Sequence, residues 1–470
     1  MKIKNIRLYS LVLLLTLGLN SCSSDSDSSN DPIEVTVTTS DFTTTIDENP
    51  TNGQVIGTVA GTTNQGSVIF SLTEQTPTGA FAIDSNTGEL IVVDESIYDF
   101  ETNPIISGIV KVENGSVFEN SIISIGVIDI DETKVFDGSV TLTTQQEVDV
   151  FGTNNYTEIT GSLFIQNSDD INDLTPLSFL KIIGSELYIV NNTNLTSLIG
   201  LNQLSSIGTI FEIGGNPLLN NLEGLNALED VNWQIAIINN NQLTSLDGLN
   251  SLTTTGGFVL SQNLLLNNII GLSNLTNVNS VMTIQSNPSL LSLNGLNNIT
   301  ELGSSLQIIN NDSLENLSGL TSLLNIDGQL IIRDNDVLTN VLGLNNLISI
   351  SGDLRIYGNS LEAIDGFSNL ETINAKFKVE FENITHIDGF NSIVFIGNVD
   401  FYQNDSLTNL NGFETLQNAG SFGVTSNNLL TDFCGITNLI ENNGITFGYD
   451  VSGNAYNPTE QDILDGNCSL

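Results

Sequence analysis

From residue 160 onward one short pattern recurs every 22–24 residues, and that period dictates what most of the chain can become. Its opening apolar positions are Leu163, Leu187, Phe211, Ile235, Phe258, Met282, Leu306, Leu330, Leu354, Phe377, Val399 and Phe422, with a looser copy at Tyr449. A glycine keeps step at positions 200, 224, 248, 271, 295, 319, 343, 366, 389, 412 and 435, and Pro176 takes that place in the first copy. Glycine there fits a corner too tight for a side chain. An asparagine falls five residues after the opening position at 192, 216, 240, 263, 287, 311, 335, 359, 404, 427 and 454. A buried amide at that point can satisfy the free backbone groups of a turn, coil upon coil. A unit this short cannot bury its apolar face alone, so the copies must stack. One copy is irregular: Glu382 occupies the asparagine register and Asn383 sits one place late. That fault reads either as a bend or notch in the stack, or as tolerated drift.

The stretch Leu187-Tyr188-Ile189-Val190-Asn191-Asn192-Thr193-Asn194-Leu195-Thr196-Ser197-Leu198-Ile199-Gly200-Leu201 shows the unit most clearly. It resembles the leucine-rich repeat, specifically the receptor L-domain variant with its N-x-x-L and L-x-G-L steps. The resemblance covers residues 135–470 and implies a right-handed β-solenoid of about 13 coils, with a parallel sheet on one face. Val140-Thr141-Leu142 to Val150 begins the N-terminal cap, and the segment around Asn454–Thr459 belongs to the C-terminal one.

Between residues 33 and 132 the composition changes to short alternating runs of Val, Ile, Thr and Phe separated by Gly, Asn and Pro. About seven strands in this length read as a β-sandwich. The pieces Asp47-Glu48-Asn49-Pro50, Phe81-Ala82-Ile83-Asp84-Ser85-Asn86-Thr87-Gly88-Glu89-Leu90, Asp99-Phe100-Glu101 and Val127-Ile128-Asp129-Ile130-Asp131 follow one another in an order that resembles the cadherin repeat. The fold class is therefore mainly β, a cadherin-like sandwich followed by a solenoid. Cadherins bind calcium through carboxylates at such positions, so the resemblance implies a site at Glu48, Asp99, Glu101, Asp129 and Asp131, and hard cations do take six or more oxygens. The loop Gly61-Thr62-Thr63-Asn64-Gln65-Gly66 lacks the acidic pair expected of the family, and no second cadherin repeat follows. A calcium site and a calcium-free spacer both stay open. Calcium is the one cofactor suggested.

Lys2, Lys4 and Arg7 precede the apolar run Leu11 to Leu19, which is too short to span a bilayer and has the flanks of a secretory signal. Leu19-Asn20-Ser21-Cys22 resembles the lipobox of bacterial lipoproteins, which implies that residues 1–21 are removed and that Cys22 is acylated. Residues 22–32 form an acidic low-complexity tether. Acidic stretches in that place resemble the surface-export signal of Bacteroidota-type lipoproteins, so the outer membrane, facing the exterior, is the expected location. The lipid is the expected membrane attachment. With Cys22 so used, Cys434 and Cys468 remain as an even pair in an oxidising compartment. A bridge between them would close a loop of about 35 residues and stabilise it by roughly 3–4 kcal/mol.

The chain carries 54 acidic against 10 basic residues, a net charge of −44, which argues against nucleic acid as a partner. Against that background four cations fall at outward positions of three adjacent strands: Arg333, Arg355, Lys376 and Lys378, with Tyr357 and Tyr402 beside them. Strands about 5 Å apart would gather these charges on one face. The cluster suggests a protein or glycan ligand of anionic character, or else local neutralisation of Asp334, Asp336, Asp353, Glu380 and Glu382. His386 is the single histidine, and neither a nucleophile with its base nor a phosphate loop can be assembled. The expectation is a non-catalytic surface lipoprotein that binds a ligand, in adhesion, through its strand face. The alternative is an envelope scaffold or an accessory subunit of an outer-membrane complex.

Overall fold

The computed structural model describes residues 33–130, 133–380 and 382–470. The signal segment, Cys22, the tether and Asp131 lie outside the described residues. The chain divides into two compact units, Met1–Asp131 and Glu132–Leu470.

In the first unit a four-stranded sheet runs in the order Phe42–Asp47, Val117–Ile128, Ile105–Asn114, Ile69–Thr76. A three-stranded sheet joins Val55–Thr58, Glu89–Val92 and Phe81–Ile83. Alternation explains the layering. Along Ile105–Asn114 the side chains of Ile106, Val110 and Val112 are buried while their neighbours are more open. They pack with Phe70, Phe81, Leu90, Ile123 and Ile125 in one core. The seven strands of these two sheets are those expected of a sandwich. One expectation fails: Gly61–Thr63, read as loop, is a strand that pairs antiparallel with Val37–Thr39. A glycine is needed there because a Cβ on Gly61 would lie 2.6 Å from Val112 Cγ1.

The second unit is a β-solenoid whose 22 strands follow one another in sequence order. Each coil carries a strand at the opening position, such as Leu187–Asn192 or Leu306–Ile309, and most carry a second, two-residue strand before it, such as Ile182–Ile183 or Glu301–Leu302. These short strands escape a pattern search because two residues show no periodicity. In the coils at Asp230–Ile238, Thr254–Ser261, Thr372–Glu380, Phe395–Tyr402, Asn418–Thr425 and Ile445–Ser452 the two pieces merge into one strand. The opening residues and their i+2 partners point inward, and Leu, Ile and Phe from the return side meet them in a single continuous core. Each such side chain contributes roughly 1.5–3 kcal/mol by leaving water.

Two devices set the stacking distance. The corner glycines lie directly against the preceding coil: a Cβ on Gly248, at φ +114°, would stand 1.9 Å from the carbonyl oxygen of Leu222. The buried asparagines form a column. Asn287 accepts the backbone N–H of Asn263 on its Oδ1 at 3.1 Å, and its Nδ2 donates to the Leu260 carbonyl at 3.0 Å and to Asn311 Oδ1 at 3.3 Å. The same contacts repeat from Asn192 to Asn454 except where Glu382 replaces the amide between Asn359 and Asn404, and Asn457 closes the series. The ends are capped. At one end helix Gln145–Gly152 starts in a capping box made by Thr144 and Glu147, and buries Val148 and Phe151. At the other, Cys434 and Cys468 are joined as a disulfide with their Cα atoms 4.9 Å apart. Asn287→Leu is expected to lower solenoid stability by about 2–4 kcal/mol, since it strands several buried donors and acceptors. Asn428→Ala, which removes an exposed contact to Asp405, is expected to change it by less than about 0.5 kcal/mol. Urea denaturation followed on the solenoid transition distinguishes the two.

Candidate binding face of the solenoid

Parallel pairing in register lines the outward side chains up into rows. One row reads Phe164, Tyr188, Glu212, Ala236, Val259, Thr283, Gln307, Ile331, Arg355, Lys378, Asp400, Gly423, Asp450. Beside it runs Gln166, Val190, Gly214, Ile238, Ser261, Gln285, Ile309, Arg333, Tyr357, Glu380, Tyr402, Thr425, Ser452. The interior repeats the same few apolar side chains, whereas these rows change character along their length. Phe164 and Tyr188 stack in the first coils with ring centroids 5.4 Å apart, and the carboxylate of Glu212 comes next, before aliphatic side chains. Neutral polar groups follow, then charge.

The structure brings Arg333, Arg355, Lys376 and Lys378 onto the three adjacent strands Leu330–Arg333, Leu354–Tyr357 and Thr372–Glu380, as expected. Each cation meets a carboxylate. Arg333 Nε lies 3.0 Å from Asp334 Oδ2, Arg355 Nη2 2.6 Å from Asp353 Oδ2, Lys376 Nζ 3.1 Å from Asp400 Oδ2 and Lys378 Nζ 2.5 Å from Glu380 Oε2. Arg333 also lies over the Tyr357 ring, 5.6 Å from its centroid. Tyr402 sits in register between Glu380 and Thr425. The face here is a lattice of alternating charge. Asp353 organises it: burial pushes its carboxyl up, but the Lys376 amide N–H at 2.9 Å and the Arg355 guanidinium outweigh this and hold it below the usual range. Of the acids expected beside the cations, Asp334, Asp353 and Glu380 are there. Glu382 is instead buried inside the asparagine column. Asp400 was missed although it follows Val399 as Lys378 follows Phe377, because it lies a whole coil away from the cations in sequence. Beyond it the absence of side chains on Gly423 and Gly448 leaves an open trough of about 510 Å³ walled by Lys376, Asp400 and Asp450.

In the sandwich, carboxylate oxygens of Glu48, Asp99 and Glu101 lie within 4.8 Å of one another. Glu48 is held in place, its Oε2 accepting from the Phe100 N–H at 3.0 Å and its Oε1 from the Ile130 N–H at 2.5 Å. Asp99 accepts from the Thr102 N–H and hydroxyl. At Glu101 a backbone hydrogen bond pulls the pKa down, yet desolvation, the charges of Glu48 and Asp129 and a contact with Asp99 push it above the ordinary value. Asp129 is thus felt as a charge without joining the cluster. All-oxygen donors in mutual repulsion are the kind of set that suits a hard cation.

No family model matches the chain, and no curated protein matches it. Solved structures similar to part of it include extracellular cadherin domains 3–6 of protocadherin gamma B2, at 20% identity over 22% of this chain and 26% of that one, TM-score 0.19. Drosophila N-cadherin EC1-4 is similar at 19% identity over 23% and 28%, TM-score 0.20. Mouse cadherin-23 EC22-24 is similar at 22% identity over 22% and 37%, TM-score 0.18. The match thus spans about a quarter to a third of the length of these chains.

Asp353→Asn is expected to lower stability by about 1 kcal/mol, as it weakens two charge-assisted contacts, whereas Asp334→Asn on an open surface pair stays within about 0.5 kcal/mol. A carboxyl held below its ordinary value contributes stability above that value and loses it as the pH falls. Acid titration of the thermal midpoint should therefore show a steeper fall below about pH 4 for the wild type than for Asp353→Asn.

Proposed function

We propose that this protein is a non-catalytic binding protein, a surface lipoprotein anchored through Cys22, that engages a protein or glycan ligand with the outward rows of its solenoid in an adhesive role. The observation that supports this is the contrast between the two sides of one sheet. The inward side is uniform because stacking demands it, while the outward side, free of that demand, holds stacked aromatic rings in its first coils and gathers alternating charge around Arg355 and Lys378. A repeat needed only for rigidity has no use for such differentiation. Among the described residues no helix is long and apolar enough to cross a membrane.

Arg333, Arg355, Lys376 and Lys378, with Tyr357 and Tyr402, form the centre of the proposed contact. Because each cation is paired, a ligand must bring its own anionic or polyhydroxyl groups and exchange them for Asp334, Asp353, Asp400 and Glu380. That exchange favours ligands with several oxygens in a fixed arrangement over a simple anion. We propose further that calcium is the cation of the sandwich, held by Glu48, Asp99 and Glu101.

Binding of soluble residues 23–470 to a glycan and surface-protein array, beside the variant with all four cations changed to Ala, tests the reading. A hit that weakens with salt and disappears in the variant is the expected result. A hit retained by the variant moves the site elsewhere on the chain, and no hit at all turns the reading towards an envelope scaffold or an accessory subunit. For the sandwich, millimolar calcium is expected to raise the thermal midpoint and Glu101→Gln to abolish the rise. An unchanged midpoint makes it a calcium-free spacer.

A further inference from the structure

Glu382 stands in the buried column between Asn359 and Asn404 and is 1% exposed. Its Oε1 reproduces an asparagine Oδ1, accepting the N–H of Asn359 at 2.9 Å and its Nδ2 at 3.1 Å, and its own N–H donates to Asn404 Oδ1 at 3.2 Å. A carboxylate cannot reproduce the amide nitrogen. In the flanking coils that nitrogen donates to a mid-strand carbonyl of the preceding coil: Asn335 to Ile308, Asn359 to Ile332 and Asn404 to Val379, each at 3.1 Å. It also donates to the next amide oxygen, as from Asn335 to Asn359 at 3.0 Å and from Asn404 to Asn427 at 3.2 Å. Register assigns Ile356 to Glu382 in the first series, and Asn404 in the second. Both acceptors lack their amide donor, and Glu382 Oε2 is buried with no hydrogen-bond partner. An ionised carboxylate here would set a charge against lone pairs.

The charged groups around it offer no relief. Asp334, across the column, opposes its ionisation. Glu380, two residues earlier on its own strand, is paired with Lys378. Asp405, next to Asn404, accepts from Asn428.

We propose that Glu382 is a structural proton site: its carboxyl is protonated in the folded chain, the Oε2–H takes over the donor role of the missing amide, and loss of that proton loosens the column beside the binding face. A bound metal ion is a poorer occupant. Oxygens on opposite sides of even a magnesium ion stand about 4.1 Å apart, whereas the donors and acceptors of the column lie 2.8–3.5 Å apart. Burial raises the pKa of Glu382 to about 7, from an ordinary 4.5. A group raised in this way contributes its stability fully below the ordinary value and loses it as the pH climbs through the raised one. The coil is therefore tightest in mild acid.

The test compares the full chain with Glu382→Gln, which carries an amide at every pH. Thermal midpoints of the solenoid transition are expected to coincide near about pH 4.5 and to separate as the pH rises, with the variant higher and the gap levelling off above about pH 7.5. Curves that run parallel, or a gap that follows cation concentration at fixed pH, overturn the proposal. Infrared spectra of the wild type alone give a second reading that does not depend on the variant folding. The carbonyl band of a protonated carboxylic acid should persist near about pH 6 and vanish above about pH 8. Its absence at the lower pH overturns the proposal as well.

Discussion

The asparagine column is the interaction on which the solenoid depends. Where the strand at the opening position ends, the chain must turn, and the turn leaves backbone groups that no strand can satisfy. One buried side chain per coil answers for three segments: its own turn, the carbonyl of the coil before and the amide of the coil after, as Asn287 does for Leu260 and Asn311. The side chain must hold a donor and an acceptor at fixed separation, which explains the choice of an amide. The corner glycines belong to the same constraint. With a Cβ at Gly248 the coils would stand farther apart, and the amide contacts near 3 Å would open.

Because column and core fix the coils from inside, the outward rows carry no part of the stacking. They can hold Phe164 and Tyr188 at one end and the alternating charges of Arg355, Asp353, Lys376 and Asp400 at the other without any change of fold. The pairs themselves contribute little to stability, since exposed ion pairs are worth about 0–1 kcal/mol each. Their effect is on recognition. In a chain with a net charge of −44, each of the four cations of this face is held by a local acid, and a partner has to compete for it.

Much of this was legible in the sequence, because the solenoid writes its constraints at a fixed period. The opening residues, the corner glycines and the amide register could all be read from spacing, and the sandwich showed in its alternation. What was hidden has physical reasons. Two-residue strands such as Ser206–Ile207 carry no periodic signal. Gly61–Thr63 looks like a loop and becomes a strand only because Val37–Thr39 lies beside it. Glu382 was visible as a fault in the register and was counted among the surface acids. Only the geometry turns it inward, since a carboxylate oxygen can stand where an amide oxygen stood. Asp400 was missed although the register held it, one place after Val399 as Lys378 is after Phe377: acids near the cations in sequence were weighed, and this one reaches Lys376 from the next coil.

The central claim is that one column of buried amides, with Glu382 as its carboxyl member, makes the coils a single body and leaves the strand face free to differ. Native-state hydrogen exchange at the amides of Asn216, Asn263, Asn311 and Asn404, whose N–H groups donate along the column, addresses it most directly. The account predicts that these amides are the most protected of the solenoid and open together, with a common free energy set by the unit as a whole. Amides that exchange independently, coil by coil, at rates close to those of the exposed return side would contradict it.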